Sequence, residues 1–238
     1  MTPMIKPKHL KPGDRIALIA PSSPVDEDKL MLSIESVKFL DLIPVLFPSA
    51  TMRHGYFSGP DPIRAEDVNN AFADPCIDGI FCLRGGYGAG RILNRIDFGM
   101  IAKHPKLFLG YSDITALHVA FNQICRLITL HATMPSRGWN TLDPVTLKSL
   151  TGSLFCPVPA GLAPSIEGEP VETILPGAAI GPITGGNLSL LESTLGSPYE
   201  IDAKNKILFI EEVEEKNYRV DRALTALARD RRSESFPA

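Results

Sequence analysis

The sequence lacks the cysteine patterns that mark metal or redox sites. Its four cysteines, Cys76, Cys82, Cys125 and Cys156, form no CxxC pair, and no histidine stands at zinc-ligand spacing from them. They read as small buried hydrophobes in a reducing compartment. Aromatic residues make up only 7% of the chain, and the formal charge is −3. Neither a base-stacking platform nor a strong basic field is available, which argues against nucleic-acid binding. No apolar run approaches the roughly 20 residues needed to span a bilayer. The stretch from Ile16 to Ala20 is too short for the core of a signal peptide and suits a strand. The expectation is a cytoplasmic protein without a membrane partner.

What is present is a globular composition, 44% hydrophobic and 21% charged over 238 residues, enough for a substantial core. Short apolar runs alternate with helical patterns. Strands are expected at Arg15–Ala20, Ile43–Phe47, Gly79–Leu83, Lys106–Gly110 and Leu127–Leu130. Helices are expected from about Asp26 to Asp41, from Asp61, as a cap with Pro62 behind it, to about Ala73, and from Asp113 to about Gln123. Continuous apolar strands between helices indicate a parallel sheet covered on both faces. The fold class expected is therefore α/β, with an N-terminal domain over residues 1–156. Residues 157–170, rich in Pro, Gly, Ala and Glu, read as a linker. Residues 171–238 read as a smaller α+β domain. It has strands at Val171–Leu175 and Lys206–Glu211, a glycine-rich GPITGGN segment, a helix at Leu188–Leu195 and another from about Tyr218. Asn187 is the candidate N-cap of the Leu188 helix and Gly196 its C-terminal glycine.

Ligands of an open parallel sheet bind beyond the carboxyl ends of the strands, and two strand ends here are unusual. One carries Arg84-Gly-Gly-Tyr-Gly-Ala-Gly90. Its glycine spacing fits neither the dinucleotide fingerprint nor a P-loop. It reads either as an oxyanion-holding loop of free N–H groups or as a plain tight turn. The other carries Gly110-Tyr-Ser-Asp113 between a strand and a helix. A serine there sits where a nucleophile elbow would place it, or else merely caps the helix. A serine nucleophile needs a base and an orienting carboxylate. Glu211 and Glu212, directly after four apolar residues, are the carboxylate candidates. His118 lies too far along its helix to face back to the Ser112 hydroxyl. His131 follows a strand, and no histidine follows Glu211.

Taken together, GDRIALIAPSSP, FSGPDPIRAEDV, GIFCLRGGYGAGRIL, LFLGYSDITALH, GPITGGNLSLLESTLGSPYEID and KILFIEEVEEKNYRVDRAL resemble the LD-carboxypeptidase family of serine peptidases, in the family's order. That family includes the microcin self-immunity peptidases. The resemblance implies a Ser-Glu-His triad with Ser112 as nucleophile and Glu211 as carboxylate. It implies oxyanion donors in the backbone N–H groups of Gly85 or Gly86 and of Asp113. It implies no metal or cofactor. The substrate it implies is a murein tetrapeptide, cleaved before its terminal D-alanine. The runner-up is a peptidyl-nucleotide antibiotic, and a homodimer is a plausible assembly. The family's histidine lies well beyond the glutamate, so the expectation is a C-terminally shortened member with little or no turnover. A peptide-binding remnant is the alternative to an enzyme.

Overall fold

The computed structural model describes residues 3–156, 161 and 171–229. The larger unit runs β1 (Arg15–Ile19), α1 (Glu27–Phe39), β2 (Ile43–Leu46), α2 (Asp61–Ala73), β3 (Gly79–Cys82), α3 (Ala89–Ile92), α4 (Phe98–Lys103), β4 (Leu107–Gly110), α5 (Thr115–Ile124), β5 (Leu130–His131) and α6 (Pro144–Phe155). Its five strands are all parallel, in the order β2-β1-β3-β4-β5. Right-handed crossovers put α1 on one face and α2 to α5 on the other. The central strands are buried on both faces, which is why β1 after its first residue, β3 and β4 are unbroken apolar runs. On the α2–α5 face, Phe108 packs between Phe72 and Phe121, with ring centroids 6.0 and 5.0 Å away. On the α1 face, Phe81 meets the fully buried Trp139 edge-on at 5.4 Å.

The smaller unit is β6 (Ile183–Asn187), α7 (Leu188–Ser193), β7 (Ile207–Glu211) and α8 (Asn217–Arg229). Its two strands are parallel, with Asn187 opposite Glu211. Leu188, Leu191, Ile201, Ala223 and Leu227 form a second core that closes on Val119 of α5. The smaller unit is thus built directly onto the helix that follows Ser112. No described helix is long and apolar enough to cross a membrane.

The α/β class with a smaller strand-and-helix unit is as expected, and several elements differ in detail. Val171–Leu175 is not a strand; Val171 and Ile174 are 87% and 91% exposed, with no neighbouring strand among the described residues to pair with. Only the last residue expected for the fifth strand pairs, joined by His131, while Leu127 makes an isolated bridge to Ile5. Asp61 is the first residue of α2 and not its cap, because its carboxylate is taken by Arg64 and Arg91. Asn187 does cap α7, accepting from the Leu190 amide at 3.2 Å. The expected linker lies outside the described residues apart from Gly161.

Candidate active site

The strand order reverses direction between β1 and β3, the place where open α/β sheets bind ligands. Three segments meet beside it: Pro21–Ser23 after β1, Arg84–Gly88 after β3, and Tyr111–Asp113 after β4. Ser112 has φ +62°. A non-glycine residue held there stores of the order of 1–3 kcal/mol of strain and needs surrounding structure to hold it. His118 supplies part of that structure. Its Nε2 lies 3.0 Å from the Gly110 carbonyl oxygen and its Nδ1 lies 2.8 Å from the Thr129 hydroxyl. Burial pushes His118 down to about 3, so the ring is neutral at physiological pH. A neutral ring meets both partners by donating from Nε2–H to the carbonyl and accepting at Nδ1 from the hydroxyl. The expectation that His118 cannot reach the Ser112 hydroxyl agrees with this geometry; the ring faces back to the residue two before it.

Gly85 lies against Ser112. A Cβ at Gly85 would stand 3.0 Å from Ser112 Cβ, and 3.1 Å from both Ser112 Oγ and the Asp113 amide nitrogen. Only a glycine leaves that space open. Gly86 turns the chain with φ +94°. The turn is tied to the β1 loop: the Ser23 amide donates to the Gly85 carbonyl at 3.1 Å, and Ser23 Oγ accepts from the Tyr87 amide at 3.1 Å.

Two buried side chains lock these segments together. Asp113 Oδ2 accepts from the Ser22 hydroxyl at 2.6 Å and from the Ala89 amide at 2.8 Å. Burial raises the Asp113 carboxyl, against the pull of those hydrogen bonds. Arg64 is fully buried. It donates to the carbonyls of Gly59 and Gly88, at 3.0 and 2.9 Å, and also to Pro21 and Asp61. Sequence reasoning missed both side-chain roles. The signal for the first was the acid directly after Ser112; for Arg64 there was none without the fold.

The smaller unit brings Glu211 to the same edge. Gly186 packs on Thr115, where a Cβ would stand 2.5 Å from the threonine hydroxyl. The Asn187 amide donates to that hydroxyl at 3.0 Å. Across the ladder, Glu211 Oε1 lies 3.9 Å from His131 Nε2, and His131 is paired with Gly110 in the large sheet. That oxygen and His131 Nδ1 are both buried without a hydrogen-bond partner among the described residues. Burial raises the Glu211 carboxyl, opposed by the Asn187 side chain, and burial lowers His131. Glu212 is differently engaged. It accepts from the Ser189 amide at 2.9 Å, the Ser189 hydroxyl at 2.6 Å and Asn187 Nδ2 at 3.0 Å. Burial raises its carboxyl, but these bonds and the one from Val213 hold it below the usual range. Among the described residues no cluster of three His, Cys, Asp or Glu is arranged to hold a metal ion.

The model of the LD-carboxypeptidase N-terminal domain matches residues 16–132, and that of the C-terminal domain matches residues 180–237. The chain belongs to the LD-carboxypeptidase family. Among its relatives is the "Probable murein peptide carboxypeptidase" of Bacillus subtilis, 42% identical over 93% of this chain and 69% of that protein. The murein tetrapeptide carboxypeptidase of Pseudomonas aeruginosa is 32% identical over 90% of this chain and 71% of its own length. Among solved structures, an MccF-like protein from Bacillus anthracis superposes with a TM-score of 0.85 at 28% identity, covering 96% of this chain and 77% of that one. The muramoyltetrapeptide carboxypeptidase of Oxalobacter formigenes gives 0.76 at 28% identity, covering 91% and 72%. LD-carboxypeptidases are serine-type peptidases, and family membership makes this chain a peptidase by descent.

Proposed function

We propose that the chain is a serine carboxypeptidase acting on murein tetrapeptides in the cytoplasm, releasing the terminal D-alanine. Ser112 Oγ attacks the carbonyl carbon of the bond before that residue. The N–H groups of Gly85 or Gly86 and of Asp113 receive the oxyanion. Glu211 orients the imidazole that takes the serine proton and passes it to the departing amine. The observation that carries this reading is the positive-φ Ser112 packed on Gly85, with the Asp113 amide beside the same gap. The relatives named for murein peptides support the substrate class. In this chain the imidazole set against Glu211 is that of His131.

A second reading is a site that binds the peptide without turning it over. The 3.9 Å between His131 and Glu211 favours it, being longer than a hydrogen bond. Release of D-alanine from the tetrapeptide, together with labelling by a fluorophosphonate serine probe, separates the two. Release and labelling that both vanish in Ser112→Ala establish the enzyme. Peptide binding with neither release nor labelling establishes the binding protein.

A further inference from the structure

A carboxypeptidase differs from other peptidases in reading the free carboxylate of the residue it removes. The strand ends around Ser112 carry several arginines, and most are already neutralised. Arg53 pairs with Asp26 at 2.7 Å, and Arg64 and Arg91 share Asp61. Arg84 and Arg137 have no carboxylate partner among the described residues. Arg84, on the glycine turn, donates from Nη1 to the Pro24 carbonyl at 2.9 Å.

Arg137 is held differently. Its Nε donates to the Tyr111 hydroxyl at 3.2 Å, which leaves both Nη groups without a hydrogen bond among the described residues. The turn carrying it is fastened down: the Ser136 hydroxyl donates to the Leu83 carbonyl at 2.6 Å, and the Ser36 hydroxyl to the Pro135 carbonyl at 2.8 Å. Tyr111 directly precedes Ser112, and its ring lies 6.1 Å from that of His131, which faces Glu211. Arg137, Tyr111, His131 and Glu211 are therefore a chain of neighbouring side chains that passes through the residue before Ser112, while Gly85 lies against Ser112 itself.

The reaction assigns different tasks to these groups. The oxyanion forms on the Gly85 side, where the N–H groups are. The departing nitrogen must receive its proton from the imidazole, on the Glu211 side. The carboxylate of the departing residue sits two bonds beyond that nitrogen and falls on the same side. We propose that Arg137, braced by the Tyr111 hydroxyl, binds the free α-carboxylate of the departing residue and makes the site a carboxypeptidase. An unpaired guanidinium fork fits a carboxylate with two parallel hydrogen bonds. Arg137 is then a specificity residue: it touches the leaving group and takes no part in bond making. This rests on the reading of Ser112 and Glu211 as the reacting centre.

The test is calorimetric binding to the Ser112→Ala chain, which needs no turnover. The ligands are the murein-type tetrapeptide L-Ala-γ-D-Glu-L-Lys-D-Ala and its C-terminal amide. The acid is expected to bind about 10- to 100-fold more tightly than the amide, the usual worth of hydrogen bonds to a charged group. Adding Arg137→Gln brings the two ligands to near parity, Arg137→Lys restores part of the difference, and Arg84→Gln leaves it in place. Arg137 is exposed and makes a single side-chain hydrogen bond, so these variants are expected to fold; Tyr111→Phe, which frees the guanidinium while keeping its charge, weakens the preference several-fold. A preference that survives Arg137→Gln, or that disappears with Arg84→Gln, overturns the assignment while leaving the site reading intact. Failure of the unmodified site to bind either ligand overturns both.

Discussion

The Ser22 hydroxyl and the Asp113 carboxylate meet at 2.6 Å across 91 residues of sequence. Through that contact and the Ala89 amide on the same oxygen, one side chain joins the β1 loop, the glycine turn and the nucleophile turn. Asp113→Ala strands two buried donors, each costing about 1–3 kcal/mol. The expected result is a chain that melts several degrees lower and, if peptide release is measurable, loses kcat more than KM. An unchanged melting temperature would show that the contact does not hold the loops.

Gly85→Ala tests the oxyanion pocket itself. The added methyl group would stand 3.1 Å from both Ser112 Oγ and the Asp113 amide nitrogen, filling the place of the substrate oxygen. Gly85 is buried, but a Cβ there meets Ser112 and Asp113 at no less than 3.0 Å, so a shift of a few tenths of an ångström accommodates it and the fold should survive. Alanine keeps the backbone N–H, but its methyl group bars the oxyanion from the donors; forfeiting one such donor costs about 10²–10³ in rate, so peptide release and serine-probe labelling should fall by at least that factor. Full labelling of the variant would place the oxyanion donors elsewhere.

Ser112 exchanges stability for geometry. At φ +62° a side chain costs about 1–2 kcal/mol relative to glycine. Ser112→Gly should therefore melt a few degrees higher than Ser112→Ala, given about 2–4 °C per kcal/mol for a chain of this size. Both variants should be inert toward the serine probe. Equal melting temperatures would show the backbone relaxed at this position.

His118 sets a pH dependence of folding. In the unfolded chain it titrates near its ordinary value of about 6.5; in the folded chain burial brings it to about 3. Its contribution is fully present above the unfolded value. As the pH falls through this interval the unfolded chain takes up the proton first, so stability is lost progressively. His131, also lowered by burial, acts in the same direction. Thermal melts between pH 7 and pH 4 should show the decline, and His118→Gln, whose amide can still donate to the Gly110 carbonyl, should make it shallower. A variant with the same slope as the parent would assign the effect to other groups.

The large sheet was legible because buried parallel strands leave a simple trace: Arg15–Ile19, Gly79–Cys82 and Leu107–Gly110 are apolar runs of strand length ending in glycine or turn residues. The same reasoning overreached at Val171–Leu175, where apolar residues lie exposed with no adjacent strand among the described residues. It fell short at Ile183–Asn187, read only as glycine-rich. Gly185 and Gly186 are there because the backbone of β7 and the side chain of Thr115 come too close for a Cβ, a signal with meaning only once the partner is known. Helix α6 was overlooked although Asp143 caps it, accepting from Val145 and Thr146, with Pro144 in its first turn. At the site, the sequence distinguished Ser112 and the Glu211–Glu212 pair as types of residue. The left-handed turn at Ser112, the burial of Arg64 and the approach of His131 to Glu211 arise largely from contacts between segments 20 or more residues apart, which no local pattern encodes.

The pairing of Asn187 with Glu211 carries one more consequence. Adjacent residues of a strand face opposite ways, so sliding β7 by a single residue would exchange the environments of Glu211 and Glu212. The carboxylate that now fastens the start of α7 would turn toward His131, and the one facing His131 would be left to cap the helix. The polarity of the site is therefore written in strand alignment, and the glycines that seat β6 on Thr115 and β7 on β6 are what keep that alignment from drifting.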